Sequence, residues 1–163
     1  MRFALIAAIF LLAAGSAAFA AMGPRKVYKE DGFSAAFDDR SPVDVAAIQG
    51  EGIERGKLYM QTGLGHVYRI MAITLKSGAD YPLAAAVKQL DAFKCSRILS
   101  DTTKREGQAE VREIHADGCI NSDQLGAKFY KSGQRVYQVF YRTTGTAVRN
   151  YHDGFLYSFR LEP

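Results

Sequence analysis

The segment His66–Leu75, with the sequence HVYRIMAITL, restricts the fold more than any other stretch of this chain. Apolar residues occupy nearly all positions on both of its alternating faces, so a strand formed here has no side that suits water. Such a strand lies inside a sheet that is covered on both faces. The residues before it read GLG, as in a phosphate-binding loop, but that loop requires a following helix. Because a strand follows, we predict a tight turn instead.

Further β-type runs stand on both sides of this segment, separated by polar or glycine-rich turns. Two pairs of runs predict hairpins, one turning at residues 105–107 and the other at Ser132-Gly133. The predicted strands are Gly32–Phe37, Val43–Ile48, Gly56–Gln61, His66–Leu75, Ser96–Lys104, Gln108–Ala116, Leu125–Lys131 and Gln134–Arg142.

Two segments change from the strand period to the helical one, and both predict amphipathic helices that pack on the sheet. One is Tyr81–Lys94, in which Pro82 suits the first turn. The other begins near Thr144. Their apolar faces are formed by Leu83, Val87 and Leu90 in the first helix, and by Val148, Tyr151, Phe155 and Phe159 in the second.

The adjacent residues His152 and Asp153 in the second predicted helix suggest a catalytic pair at first sight. Neighbouring residues of a helix point about 100° apart, so the two side chains do not face each other. We therefore expect the aromatic rings around them to form core. His152 is predicted to lie at the border of the apolar face and to be dispensable for function.

The N-terminal residues predict export. Arg2 is followed by an apolar run from Phe3 to Ala14 and by Ala18-Phe19-Ala20, which is the pattern of a secretory signal peptide with an A-x-A cleavage site. The run is too short for a membrane span, which needs about 20 apolar residues. We predict a signal peptide over residues 1–20 and a single globular domain over residues 21–163, periplasmic or secreted, without a membrane span.

Charge and cysteine content narrow the function classes. The chain has 21 Lys and Arg against 17 Asp and Glu, a net charge of +4, and the basic residues are scattered, which argues against a nucleic-acid partner. Cys95 and Cys119 predict a disulfide in an oxidising compartment. The hairpin that turns near Glu106 brings position 95 opposite roughly position 117, and a small bend at Gly118 then brings Cys119 within reach.

The three histidines, His66, His115 and His152, show neither H-x-x-x-H nor H-E-x-x-H spacing, so we predict no metal site and no cofactor. His115 and Asp117 alternate along one predicted strand and would share a face, as a general base and its orienting carboxylate do. No nucleophile motif such as G-x-S-x-G accompanies them. We therefore assign no catalytic, cofactor-binding or metal-binding residue.

Four aromatic residues of the second hairpin leave two interpretations open. They either line a ligand groove or pack in the core with the tyrosine hydroxyls at the rim, and packing is the commoner outcome in a layered sheet. These residues are Tyr130, Tyr137, Phe140 and Tyr141.

Several phrases together resemble the PsbP-like family. They are DGFSAAF at Asp31–Phe37, the hairpin strand Gly133–Tyr137 and the ending Phe155–Phe159, and the likeness extends over about Asp31 to Leu161. The resemblance implies an α+β fold in which helices flank an antiparallel β-sheet, an α-β-α sandwich. It implies no catalytic residues, because members serve mainly as accessory or binding proteins.

The sequence therefore predicts an exported, non-enzymatic binding or accessory protein. Its expected partner is another periplasmic or envelope protein. The alternative is a small exported hydrolase that uses His115 or His152, which would require a pocket with a nucleophile or metal ligand near one of these rings.

Overall fold

A computed structural model describes residues 25–163 apart from residues 64, 85–87, 89 and 145–148. Within this part the chain forms ten strands, a C-terminal α-helix, a short 3₁₀ turn and a helical stretch of which residues 84, 88 and 90 are described. The strands are β1 (Arg25–Glu30), β2 (Phe33–Asp38), β3 (Asp44–Ile48), β4 (Ile53–Gly63), β5 (His66–Leu75), β6 (Arg97–Glu106), β7 (Ala109–Cys119), β8 (Ser122–Ser132), β9 (Arg135–Thr143) and β10 (Arg160–Leu161). The helix is α1 (Arg149–Ser158), and the 3₁₀ turn is Asp91–Phe93.

The larger sheet contains seven antiparallel strands in the order β3-β4-β5-β9-β8-β7-β6. The strand β5 lies inside this sheet and pairs with β4 on one side and β9 on the other. Tyr68 and Ile70 point into the main core, whereas Ile73 and Leu75 belong to a separate apolar cluster. The prediction that His66–Leu75 is an internal strand with two covered faces is confirmed.

The smaller sheet consists of β1, β2 and β10, with β2 in the middle. Asp31 and Gly32 connect β1 to β2 with φ angles of 46° and 77°, both in the left-handed region. Two such residues form the hairpin turn whose twist matches that of the paired strands, and Asp-Gly is a preferred sequence for it. The strand β1 was absent from the predicted elements because its sequence, RKVYKE, is mostly charged.

The main core lies between one face of the seven-stranded sheet and a layer made of the smaller sheet and α1. Aromatic rings dominate it: Phe33 stacks on Phe159 at 5.4 Å between ring centroids, and Phe155 stacks on Tyr68 at 4.4 Å. All four rings are no more than 1% exposed. Burying such rings removes large apolar areas from water and fixes the position of α1 against the sheet.

The opposite face of the large sheet is covered by the segment between β5 and β6. Leu83 and Leu90 are buried there, and Phe93 stacks on Phe140 at 5.2 Å. The segment is tied to β7 by the Cys95–Cys119 disulfide, with a sulfur–sulfur distance of 2.04 Å. The predicted disulfide is confirmed, and Gly118 adopts a left-handed φ of 60° at the predicted bend.

The expected α+β architecture, an antiparallel sheet flanked by helices as an α-β-α sandwich, is wrong. Strands make up most of the described chain, and the layer on the main core contains a second β-sheet beside α1. The predicted helix Tyr81–Lys94 includes residues 85–87 and 89, which lie outside the described residues. The described residues Ala84, Lys88 and Leu90 are helical, as predicted, and Asp91–Phe93 at the end of the segment form a 3₁₀ turn.

The predicted C-terminal helix ends one residue earlier than its apolar spacing indicates. Its start near Thr144 falls next to residues 145–148, which lie outside the described part. The helix ends at Ser158, whose hydroxyl donates a hydrogen bond to the Phe155 carbonyl at 2.7 Å. Phe159 therefore follows the helix, and the chain continues as β10 along β2. Within the described residues, no helix is both long and apolar enough to cross a membrane.

Candidate functional site

The structure places His152 inside the main core rather than at its border. Its side chain is 3% exposed, and Nδ1 shares a hydrogen bond of 3.0 Å with the hydroxyl of Tyr68. Burial, followed by the charges of His66 and Arg25, lowers the pKa of His152 from 6.5 to about 4. The imidazole is therefore neutral at neutral pH and is shielded from solvent.

His115 belongs to a partly buried ion-pair network between β7, β8 and α1. Its Nε2 lies 3.0 Å from Glu113, and its Nδ1 lies 3.5 Å from Asp153. Lys128 approaches the other oxygen of Glu113 at 3.2 Å, and the Tyr157 hydroxyl donates to Glu113 at 2.9 Å. Nε2 is thus held by Glu113, whereas Nδ1 is buried and forms no hydrogen bond within the described residues. The contacts of Asp153 and Tyr157 with β7 join α1 to the large sheet.

Alternation allowed Asp117 to share a face with His115, but the structure brings two other carboxylates to the imidazole. Asp117 accepts a hydrogen bond from Arg97 of β6 at 3.1 Å, while Glu113 and Asp153 flank the imidazole. The same alternation argument could have identified Glu113, since it stands two positions before His115 on β7. It could not have identified Asp153, because Asp153 reaches His115 only through the packing of α1. Within the described residues, no group of three or more His, Cys, Asp or Glu is arranged to hold a metal ion.

The four hairpin aromatics are packing residues rather than the walls of a groove. Tyr130, Tyr137 and Tyr141 lie in the main core at no more than 2% exposure. Phe140 points to the opposite face, at 5% exposure, against Phe93. The hydroxyl of Tyr137 reaches a concave surface, where it donates to the carbonyl of Asp31 at 2.9 Å.

That concave surface is a cleft of about 270 Å³ between the β1–β2 turn and the large sheet. Side chains of β4, β5 and β9 form its floor, and the turn residues Asp31 and Gly32 form one wall. We call it the cationic cleft, because three basic residues line it. Its charged and polar lining consists of Asp31, Arg55, Lys57, Thr74, Arg135 and Tyr137.

Strand register explains how these residues come together. Arg55 of β4 and Arg135 of β9 are both paired with Thr74 of β5, so the three side chains form one row across the sheet. Lys57, Ala72 and Tyr137 form the next row. The sequence gives little sign of this, since Arg55 and Arg135 lie on strands that are distant in the chain.

The cations of the cleft differ in how they are neutralised. Lys57 lies 3.2 Å from the carboxylate of Asp31, which also accepts a hydrogen bond from Tyr59. Burial raises the pKa of Asp31, but the hydrogen bonds from Tyr59 and Lys57 outweigh it and leave the pKa below 3.8. Arg55 and Arg135 are exposed and form no ion pair with any carboxylate of the described residues.

Gly32 lets the turn and Arg135 approach each other closely. A Cβ atom at position 32 would lie 2.7 Å from Nη1 of Arg135 and 2.9 Å from the Tyr137 hydroxyl. Its left-handed φ of 77° is also a conformation that side chains other than hydrogen disfavour. The cleft wall therefore depends on glycine at this position.

Comparison with known proteins places the chain by its fold. No family model matches the sequence, and no curated protein matches it. The described fold has a counterpart among solved structures. It is similar to the solution structure of cyanobacterial PsbP (CyanoP) from Synechocystis sp. PCC 6803, with a TM-score of 0.56 over 86% of this chain and 94% of that chain. The two sequences are 9% identical, so the likeness extends to the fold alone.

Proposed function

We propose that this chain is an exported, non-enzymatic binding protein that holds an envelope partner at the cationic cleft. The observation that carries the proposal is the pair of exposed, unneutralised arginines on the cleft floor, Arg55 and Arg135. Solvated cations in a concave surface are available to a ligand, whereas the charges around His115 are already matched inside the protein.

The alternative, a hydrolase that uses His115 or His152, receives less support. Nε2 of His115 is engaged by Glu113 at 3.0 Å, and Nδ1 is buried 3.5 Å from Asp153 without a hydrogen-bond partner among the described residues, so neither nitrogen is paired with a hydroxyl nucleophile. His152 is buried and bonded to Tyr68. A general base must reach its substrate within hydrogen-bond distance, and neither ring offers that reach.

Export is supported by two features of the chain. The N-terminal pattern that ends in Ala18-Phe19-Ala20 suits signal-peptide cleavage before Ala21. The Cys95–Cys119 disulfide suits an oxidising compartment such as the periplasm.

Site-specific photo-crosslinking in the producing cells tests the proposal. A photoreactive residue replaces Ala47, which is exposed and lines the cleft. The control replaces Arg105, which is exposed on β6 at the opposite edge of the sheet. We expect a discrete adduct of one envelope protein from position 47 alone. Adducts of equal yield from both positions, or none from position 47, would contradict the proposal.

A second arm separates binding from catalysis. The His115→Gln variant should give the same adduct from position 47 and should complement a deletion strain as the unmodified protein does. If the adduct persists while complementation is lost, the histidine performs chemistry and the hydrolase takes the place of the binding protein.

A further inference from the structure

We infer that the row Arg55, Thr74 and Arg135 is a receptor for carboxylate side chains, and that its ligand is an acidic segment of a partner protein. This inference rests on the proposed binding function and specifies its ligand. It is drawn from the register of three strands, from the charge state of the cleft and from the size of the cleft.

The row has the geometry of a two-armed clamp. Neighbouring strands lie about 4.8 Å apart, so the backbones that carry Arg55 and Arg135 are separated by roughly 10 Å with Thr74 midway. Arg55 already contacts Thr74, whereas Nη1 of Arg135 lies beside Gly32 and the Tyr137 hydroxyl, and the Arg135 side chain is long enough to turn towards a group above Thr74. Nε of Arg55 donates to the Thr74 hydroxyl at 3.4 Å, which leaves the hydroxyl proton free to donate to a ligand.

The chemistry of these groups favours a carboxylate. A guanidinium presents parallel N–H donors that match the two oxygens of a carboxylate, and such charge-assisted bonds are stronger than neutral ones. Lys57 in the neighbouring row is already paired with Asp31. Asp31 also attracts Arg55 at longer range, but neither arginine has a carboxylate of the described residues within ion-pair distance.

The size of the cleft favours part of a larger partner over an enclosed small molecule. Pockets that bury whole small ligands usually measure about 300–1,000 Å³. At about 270 Å³ the cationic cleft lies near the lower limit of this range, and it is open to solvent rather than enclosed. The small residues Ala47, Gly56 and Ala72 let a peptide backbone lie against the sheet while its acidic side chains reach the arginines.

A peptide-binding assay tests the inference. The full mature protein is titrated with a blocked peptide of alternating Glu and Ala, with the matched Gln-Ala peptide as the control ligand. We expect binding of the Glu peptide only, weakened as ionic strength rises because the contacts are exposed. R55Q/R135Q should weaken it by roughly tenfold or more. R105Q, which removes a cation from the opposite edge, should leave it unchanged.

Two variants examine the clamp itself. R55K/R135K keeps the charge but loses the planar fork, so binding should fall between that of the unmodified protein and that of R55Q/R135Q. T74V removes the central donor at nearly constant volume and should weaken binding by a few-fold. Equal affinity of R55K/R135K and the unmodified protein for the Glu peptide would show that the site recognises positive charge alone. That result would contradict the proposed clamp geometry.

Other ligands would overturn the inference in recognisable ways. Equal binding of the Gln-Ala peptide would exclude carboxylate recognition. Displacement of the Glu peptide by inorganic phosphate at equal concentration would identify a free-anion site. Arginine-dependent binding to vesicles of phosphatidylglycerol and phosphatidylcholine, without binding of the peptide, would identify a lipid surface.

The failure of this inference and that of the proposed function give different results. If the crosslinked adduct at position 47 survives in R55Q/R135Q, the partner binds the cleft by other contacts and only the carboxylate receptor is wrong. If the Glu peptide binds but no adduct forms in cells, the receptor stands and the envelope partner is wrong.

Discussion

Glu113 is the residue whose charge contributes most clearly to the contact between α1 and the large sheet. The hydrogen bond from His115 lowers its pKa from 4.5 to about 2, and Lys128 and Tyr157 act in the same direction against burial. A carboxyl with a depressed folded pKa stabilises the protein fully above the unfolded value, and this contribution is lost as pH falls from about 4.5 towards 2.

We therefore expect Glu113→Gln to lower the free energy of unfolding by about 1–3 kcal/mol at pH 7, less than the full shift implies because solvent screens part of the charge. Urea titrations across pH 2–7 measure it. The difference between Glu113→Gln and the unmodified protein should shrink below pH 4.5. A constant difference would mean that the ionisation of Glu113 does not contribute.

His152 gives a second pH dependence in a separate window. Its pKa is about 4 when folded and 6.5 when unfolded, so the unfolded chain binds more protons between these values. Stability should be highest above pH 6.5 and should fall by about 3 kcal/mol as pH decreases to about 4. His152→Gln should flatten this slope. It should also cost about 1–3 kcal/mol at pH 7, because the buried Tyr68 hydroxyl loses a hydrogen bond. An unchanged slope in this variant would contradict the assignment.

At the scale of elements, α1 should depend on its buried aromatic face. Phe155 is fully buried between Tyr68 at 4.4 Å and Phe37 at 5.2 Å. Truncation to alanine should therefore cost about 3–5 kcal/mol. Tyr157→Phe on the same helix should cost only about 1 kcal/mol, because its ring is 43% exposed and the change removes only the hydrogen bond to Glu113. Chemical denaturation measures both, and equal small losses would mean that α1 does not anchor the core.

Sequence reasoning succeeded where one local pattern decides the structure. The alternation in His66–Leu75 gave β5 with its observed bounds, and the hairpin argument gave the Cys95–Cys119 pairing. It missed β1, because RKVYKE becomes a strand by pairing with β2 and not by its own hydrophobicity. It extended the last helix through Phe159, because a residue after a helix can keep the helical spacing while entering a strand.

The cationic cleft was beyond sequence reasoning for a related reason. Alternation places Arg55 and Lys57 on one face of β4, but nothing in the chain indicates that β9 lies two strands away. Arg135 joins Arg55 only through the shared pairing with Thr74. The ion-pair network of His115 likewise requires α1 to bring Asp153 against β7. Both sites arise from tertiary register.

For the whole molecule, export should change the covalent mass of the chain, and an intact-mass measurement detects this change. Cleavage after Ala20 removes the apolar N-terminal run, and oxidation of Cys95 and Cys119 removes two hydrogens. The intact mass of the native protein should therefore equal that of residues 21–163 less two hydrogens, with no thiol titrating after denaturation. A Cys95→Ser/Cys119→Ser variant should keep the same cleavage point and lose about 3 kcal/mol of stability, because the unfolded chain regains the freedom of the opened loop. A mass that retains residues 1–20 would reject export by this route. Two free thiols in the native protein would place it in a reducing compartment, and the binding partner would then have to be sought there.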